Sequence, residues 1–169
     1  MTTKTTTKRI YDGKILRNLA LHPGILSPMR ALLIYMIAAS HNRPFTYSAT
    51  ATILKRAGIG KAQYYPLMKR LEELGVIHRV TVGWGRTIGT IVFVNKRHGL
   101  LCRRRGKLAP QIFRIDRGDA GKAVRALLTY RRKSPKGGVS LDKRTERKIV
   151  ARCLKALRKR GMVRGGRTR

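Results

Sequence analysis

Apolar residues recur every three or four positions as far as Leu74, and the period shortens to two over Val76 to Val82. A period near 3.6 belongs to an amphipathic helix and a period of two to a half-buried strand. The chain therefore has to turn from helix to strand at Gly75, and glycine suits the left-handed backbone often needed after a helix. Upstream, Ser27-Pro28 marks a helix start, with Ser to cap open amides and Pro at the first helical position. Leu32, Leu33, Met36, Ile37 and Ala39 follow at helical spacing to about Ser40. His41-Asn-Arg-Pro44 reads as a turn and Phe45-Thr-Tyr47 as a short strand. Ser48 is expected to cap a second helix to about Ala57, with Ala51, Leu54 and Ala57 inward and Ile53 toward the edge of that face. After the tight turn Gly58-Ile59-Gly60, a third helix is expected from about Lys61 to Leu74. Tyr64, Leu67, Met68 and Leu71 form its apolar stripe. Val76, His78, Val80 and Val82 then alternate with Ile77, Arg79 and Thr81. Gly83-Trp84-Gly85-Arg86 turns, and Thr87 to Val94 returns, which makes a β-hairpin. The expected fold class is mainly α with a small β-hairpin, α+β.

Charge sets the partner. The 169 residues hold 40 Lys+Arg against 7 Asp+Glu, a formal net charge of +33. Such a chain repels itself unless a polyanion offsets the charge, so nucleic acid is the first-choice partner and an ordinary metabolic enzyme is not. A membrane is not expected as partner. No apolar segment follows the charges of Met1 to Arg9, and the longest apolar run, Ala31 to Ala39, is nine residues, less than half of the ~20 a membrane helix needs. A cytoplasmic protein is expected, nucleoid-associated in a bacterium. Cys102 and Cys153 stand far apart without His at ligand spacing, so neither a metal site nor any other cofactor is expected.

The charge also divides the chain. Residues 1–95 carry 14 Lys+Arg and 3 Asp+Glu, residues 96–169 carry 26 and 4, and most of the apolar periodicity lies in the first part. The expected organisation is a basic flexible arm over 1–9, a folded domain over 10–95, a basic linker over 96–110 and a basic helical region over 111–169.

The order helix, short strand, helix, tight turn, helix, hairpin resembles the winged helix-turn-helix. Residues 48–77, SATATILKRAGIGKAQYYPLMKRLEELGVI, carry the resemblance. Gly58 allows the turn, Ile59 plugs the angle between helices, Leu71 and Ile77 close the core, and Gly75 leads into the wing. Leu16 to Ser40, with Ala20-Leu-His-Pro-Gly-Ile-Leu-Ser-Pro-Met-Arg-Ala-Leu-Leu33, is similar to the lead-in of helix-turn-helix proteins of phages and plasmids, some of them replication initiators and others transcriptional regulators. The resemblance covers roughly residues 14–94. It implies that the third helix enters a major groove about 12 Å wide. Lys61, Ala62, Gln63 and Tyr65 would then face base edges, with Gln63 suited to adenine and Lys61 to guanine or phosphate. Lys55, Arg56, Lys69, Arg70 and Arg79 would contact the DNA backbone. Arg86 at the wing tip would do so too, or enter a minor groove, beside Trp84. Pro66 departs from the family pattern because it removes a donor and crowds the preceding turn. Either the helix kinks there, or it begins near Pro66 and the reading surface is the loop before it.

In the basic region, Gln111 to Ile115 reads as a further strand and Asp119 as the cap of a helix from Ala120 to about Arg132. A loop, Ser134 to Gly138, precedes a long helix from Ser140 to Arg160. Leu141, Ile149, Val150, Cys153, Leu154 and Leu157 are its inward side; Arg144, Arg147, Lys148, Arg152 and Lys155 are candidate DNA contacts on the others. Arg30-Ala-Leu-Leu-Ile-Tyr35 recurs as Arg125-Ala-Leu-Leu-Thr-Tyr130, and Lys69-Arg-Leu-Glu-Glu-Leu-Gly-Val76 as Lys155-Ala-Leu-Arg-Lys-Arg-Gly-Met162. Offsets of 95 and 86 residues leave a second copy nine residues shorter in its turn, so either a partial second helix-turn-helix or a two-helix basic appendage fits.

No catalytic arrangement is present. His22, His41, His78 and His98 never fall at metal-ligand spacing, and the seven carboxylates are scattered. The expected function is sequence-specific binding of double-stranded DNA, as a transcriptional regulator or an origin-binding replication factor, with homodimerisation open. A basic RNA-binding or ribosome-associated protein is one alternative, although A-form RNA hides its major groove from a helix. A non-specific DNA-compacting protein is the other.

Overall fold

The computed structural model describes residues 3–41, 43–84, 86–103, 108–133 and 141–163, with side chains from Asp12 onward except that of Arg86. The fold is mainly helical with one small antiparallel sheet, as the sequence implies. Helix α1 (Thr3–Ala20) leads into α2 (Ser27–Ser40), strand β1 (Phe45–Thr46), α3 (Thr50–Ala57) and α4 (Lys61–Glu73). Strands β2 (Ile77–Trp84) and β3 (Arg86–Val94) follow, then α5 (Gly99–Cys102), α6 (Arg117–Arg132) and α7 (Lys143–Lys159). The strand order is β1-β3-β2. Phe45 pairs with Phe93, and His78, Val80 and Val82 face Phe93, Ile91 and Gly89. A bulge at Val82/Gly83 lets the hairpin strands run to Trp84 and Arg86, so the turn is shorter than the four residues expected.

The first core forms where helical stripes meet one face of the sheet. Ile15 and Leu19 of α1, Leu32, Leu33, Met36 and Ile37 of α2, and Tyr64, Met68 and Leu71 of α4 close on Ile77, Val92 and Val94. Several local expectations change here. The segment expected as an N-terminal arm is helical in backbone from Thr3. Leu26 and Ala49 hold the cap positions of α2 and α3, and neither helix has a side-chain cap. Ser27 is already helical, and Ser48 Oγ instead accepts from the Tyr35 hydroxyl at 2.8 Å. In α3 the fully buried residue is Ile53, while Ala51 is exposed. Helical geometry makes this necessary: at about 100° per residue Ala51 lies roughly 160° from Ile53. Leu54 and Ala57 share Ile53's side and are half-buried.

Nor is 96–110 a plain linker. Leu100 and Leu101 of α5 are fully buried in the first core. His98 caps α5 through Nδ1, which accepts the Leu100 amide at 3.1 Å. Its Nε2 then donates to the Leu74 carbonyl at 2.8 Å, binding the segment to the end of α4. The apolar pair Leu100-Leu101 inside two basic runs was the available signal. Residues 104–107 lie outside those described.

The basic region is the other half of the fold. Phe45, Val82, Ile88, Ile91 and Phe93 pack with Ala120, Val124, Leu127 and Leu128 of α6 and Ile149, Val150 and Leu157 of α7 in a second core. Neighbouring strand residues point to opposite faces, so the sheet is buried between the two helical layers. Asp116, not Asp119, caps α6, accepting from the amides of Gly118 and Asp119. That leaves Asp119 in the first turn, where the helix dipole favours a carboxylate. Asp142 caps α7; Ser140 and the expected loop fall outside the described residues. Of the strand expected over 111–115, one parallel bridge forms, Ile115 to Val163. Gln111 instead donates its amide to the Leu74 carbonyl at 3.0 Å, and Ile112 is exposed.

The recurring sequence phrases occupy matching places. Leu32-Leu33 and Leu127-Leu128 are buried in the first and second cores respectively. Gly75 has φ 70° and Gly161 φ 66°. Gly75 and Val76 donate to the carbonyls of Glu72 and Leu71 at 2.9 and 3.0 Å, and Gly161 and Met162 to those of Arg158 and Leu157, both at 2.9 Å. These are two copies of the paired hydrogen bonds that close a helix at a left-handed glycine.

Candidate nucleic-acid interface

Burial of one stripe of α4 dictates what its other side offers. Tyr64, Met68 and Leu71 are buried, whereas Lys61, Ala62, Gln63, Tyr65, Lys69 and Arg70 are exposed. The four candidate base-facing residues thus share the first turns of one helix. Gly60 adopts an extended backbone ahead of α4, and Gln63 Oε1 accepts its amide at 3.3 Å. Glycine has no side chain to return the bond, so this is half of a capping box. It holds the Gln63 carboxamide near the helix start. Tyr65 is 51% exposed, its ring 5.2 Å from that of Tyr64 in an edge arrangement. Burial pushes the Tyr64 phenol above its ordinary range, opposed by a hydrogen bond to Thr50, so this tyrosine serves the core.

The helix runs through Pro66 from Lys61 to Glu73, so the surface is helical and not the loop before Pro66. Proline has no N–H for the carbonyl of Ala62 four residues back. That carbonyl lies in the exposed first turn, where water can satisfy it.

Two cations near α4 are engaged by carboxylates. Arg79 donates its backbone amide to Glu72 Oε1 at 2.8 Å and Nη2 to Glu72 Oε2 at 2.6 Å. Burial raises the Glu72 carboxyl, but the two Arg79 bonds and its charge together hold it below the usual carboxylate range. Arg79, expected to meet a phosphate, is therefore bound internally. Arg70 lies 3.7 Å from Glu73 with both side chains about half exposed, and pairs of that kind contribute little. Lys55 and Arg56 are exposed in the last turn of α3. At the hairpin end Trp84 is 39% exposed and pairs in backbone with Arg86, whose side chain is outside the description.

Helix α7 is the more cationic surface. Between Lys143 and Lys159 it carries eight Lys+Arg and one carboxylate, Glu146, which binds Arg132 at 2.8 Å. By contrast α4 carries three Lys+Arg and two Glu. Arg144, Arg147, Lys148, Arg152 and Lys155 are all exposed, as expected. Arg158 and Lys159, also exposed, continue that side into the last turn, whereas Arg160, the residue after the helix, lies near His78 instead.

Among the described residues no helix is long and apolar enough to cross a membrane. The chain matches no protein-family model, no curated protein and no solved structure.

Proposed function

We propose that this chain is a sequence-specific double-stranded DNA-binding protein of the winged helix-turn-helix type, acting as a transcriptional regulator or origin-binding replication factor. The observation that carries the reading is the run α3, Gly58 to Gly60, α4 and the β2–β3 hairpin. It presents Lys61, Ala62, Gln63 and Tyr65 together on exposed turns in a chain of net charge +33. A helix of α4's width fits a major groove, where Gln pairs with adenine and Lys with guanine. Lys55, Arg56, Lys69 and Arg70 would grip phosphates and fix the register. The concentration of charge on α7 favours one second reading, a DNA-compacting protein indifferent to sequence.

Selection of bound duplexes from a random pool tests the reading, followed by Gln63→Ala and Lys61→Ala. A regulator enriches a preferred site by roughly 10³ or more over bulk DNA, and Gln63→Ala shifts the preference at one position. Equal recovery of all sequences would overturn specificity in favour of compaction.

A further inference from the structure

Among the described helices, the one richest in Lys and Arg, α7, lies across the sheet from the helix assigned to base reading. Helix α4 packs through Met68 and Leu71 against the side of β3 that carries Val92 and Val94. Helix α7 packs through Ile149 and Leu157 in the cluster holding Ile91 and Phe93. Those residues alternate along β3, and alternate residues point to opposite faces of a sheet. Helix α7 buries its stripe against α6 and the β2 edge within the second core, and α4 buries its own within the first, so the two helices lie on opposite faces of the sheet. With each helix about 10–12 Å across and a sheet between, the outer surfaces stand on the order of 25–30 Å apart. One major groove about 12 Å wide cannot take both.

The exposed side of α7 also has its own chemistry. Arg144, Arg147, Lys148, Arg152 and Lys155 recur at three- and four-residue spacing, so they line one side of the helix over roughly 16 Å at about 1.5 Å per residue. The small residues Ala151 and Ala156 are also exposed, and no Asn or Gln occurs in the helix. A surface of cations without amide side chains suits phosphates more than base edges. The glycine closures at Gly75 and Gly161 terminate the two helices alike, one at each face of the same sheet.

We infer that one chain holds two duplexes: α4 and the hairpin take the first, and the outer face of α7 takes a second segment through its phosphates. The inference rests on the DNA-binding reading for α4, while the α7 half stands on charge and placement. The protein then bridges DNA as a monomer.

The test uses the full chain, one bead-bound 30-base-pair duplex and one fluorescent duplex in solution. Protein should carry the fluorescent duplex onto the beads, and native mass spectrometry with excess short duplex should show one chain with two duplexes. Neutralising α7 (Arg144→Gln, Arg147→Gln, Lys148→Gln, Arg152→Gln, Lys155→Gln) should reduce capture at least tenfold and lower the stoichiometry to one duplex per chain. A control variant neutralises Lys14, Arg17, Arg114, Lys122 and Arg125, all exposed and outside both helices, and should still bridge. Circular dichroism must show wild-type helix content in both. Equal loss in the two variants would reduce bridging to generic polycation behaviour and overturn the inference. So would a complex of two chains with two duplexes, or full capture by the α7 variant. Loss of all duplex binding by the α7 variant would make α7 the sole DNA face. If the wild-type chain binds no duplex at all, the reading under the proposed function fails as well, which separates the two failures.

Discussion

Glu72 decides what Arg79 can do. The pair is about three-quarters removed from solvent and makes two hydrogen bonds, a geometry worth on the order of 1 kcal/mol. Glu72→Gln should lower stability by about that much in urea titration, and it releases a guanidinium beside α4. Duplex affinity should then rise, and the slope of log K against log salt should steepen by about 0.9 for one added phosphate contact. Histidines set a second residue-scale behaviour. Burial holds His98 below its ordinary value, outweighing its bonds to the Leu74 and Ala109 carbonyls. Burial, with Arg160 and Arg79 nearby, does the same to His78 against the pull of Glu72. The folded state favours neutral rings, so the unfolded chain binds more protons below its His pKa of about 6.5. Stability is complete above that pH and declines as pH falls through it. The urea midpoint should drop between pH 7.5 and 5.5, a window above carboxylate titration, and His98→Gln should flatten the drop while costing stability at pH 7.5.

At the scale of elements, two glycines with one backbone conformation should behave differently on substitution. A Cβ on Gly161 meets nothing within 4 Å, so Gly161→Ala carries only the left-handed penalty, roughly 1–2 kcal/mol. A Cβ on Gly75 would stand 1.8 Å from the backbone oxygen of Gln111. Gly75→Ala must therefore displace the 111 segment and its bond to Leu74, and should exceed the Gly161→Ala cost by several-fold in denaturant titration. The sequence announced both glycines, and it announced α4, because Tyr64, Met68 and Leu71 sit on one stripe whatever surrounds them. It did not announce that Gln111 closes over Gly75, since no periodicity encodes a contact 36 residues away. The caps differ from the sequence expectation for a related reason. Ser27, Ser48 and Asp119 have suitable chemistry, but Tyr35 claims Ser48, and Asp116 lies three residues earlier with the same carboxylate. Within the candidate interface, exposure of Lys61, Gln63 and Tyr65 followed from the stripe. The capture of Arg79 depended on how the strand folds back beside α4.

For the whole molecule, the two-sided sheet is the consequential feature. A signal for it existed: Ile91-Val92-Phe93-Val94 is apolar at four consecutive positions, which a sheet with one wet face does not need. All four are buried. Charge masked the meaning, because the residues that cover the second face belong to helices whose outer sides are strongly basic. The charge step near residue 96 thus falls inside a shared core, with residues on both sides of it packed in the second cluster. Removing residues 104–169 would expose Phe45, Val82, Ile88, Ile91 and Phe93 at once. At about 1.5–3 kcal/mol for each buried side chain, the loss is on the order of 10 kcal/mol, comparable to the 5–15 kcal/mol that holds a whole domain. A chain of residues 1–103 should therefore fail to give a sharp thermal transition, bind a hydrophobic dye and aggregate, whereas the full chain melts in one step with coincident far-ultraviolet and near-ultraviolet signals. Were the short chain to melt cooperatively near the full-length temperature, the second core would contribute nothing to the first, and α6 and α7 would be an appendage after all.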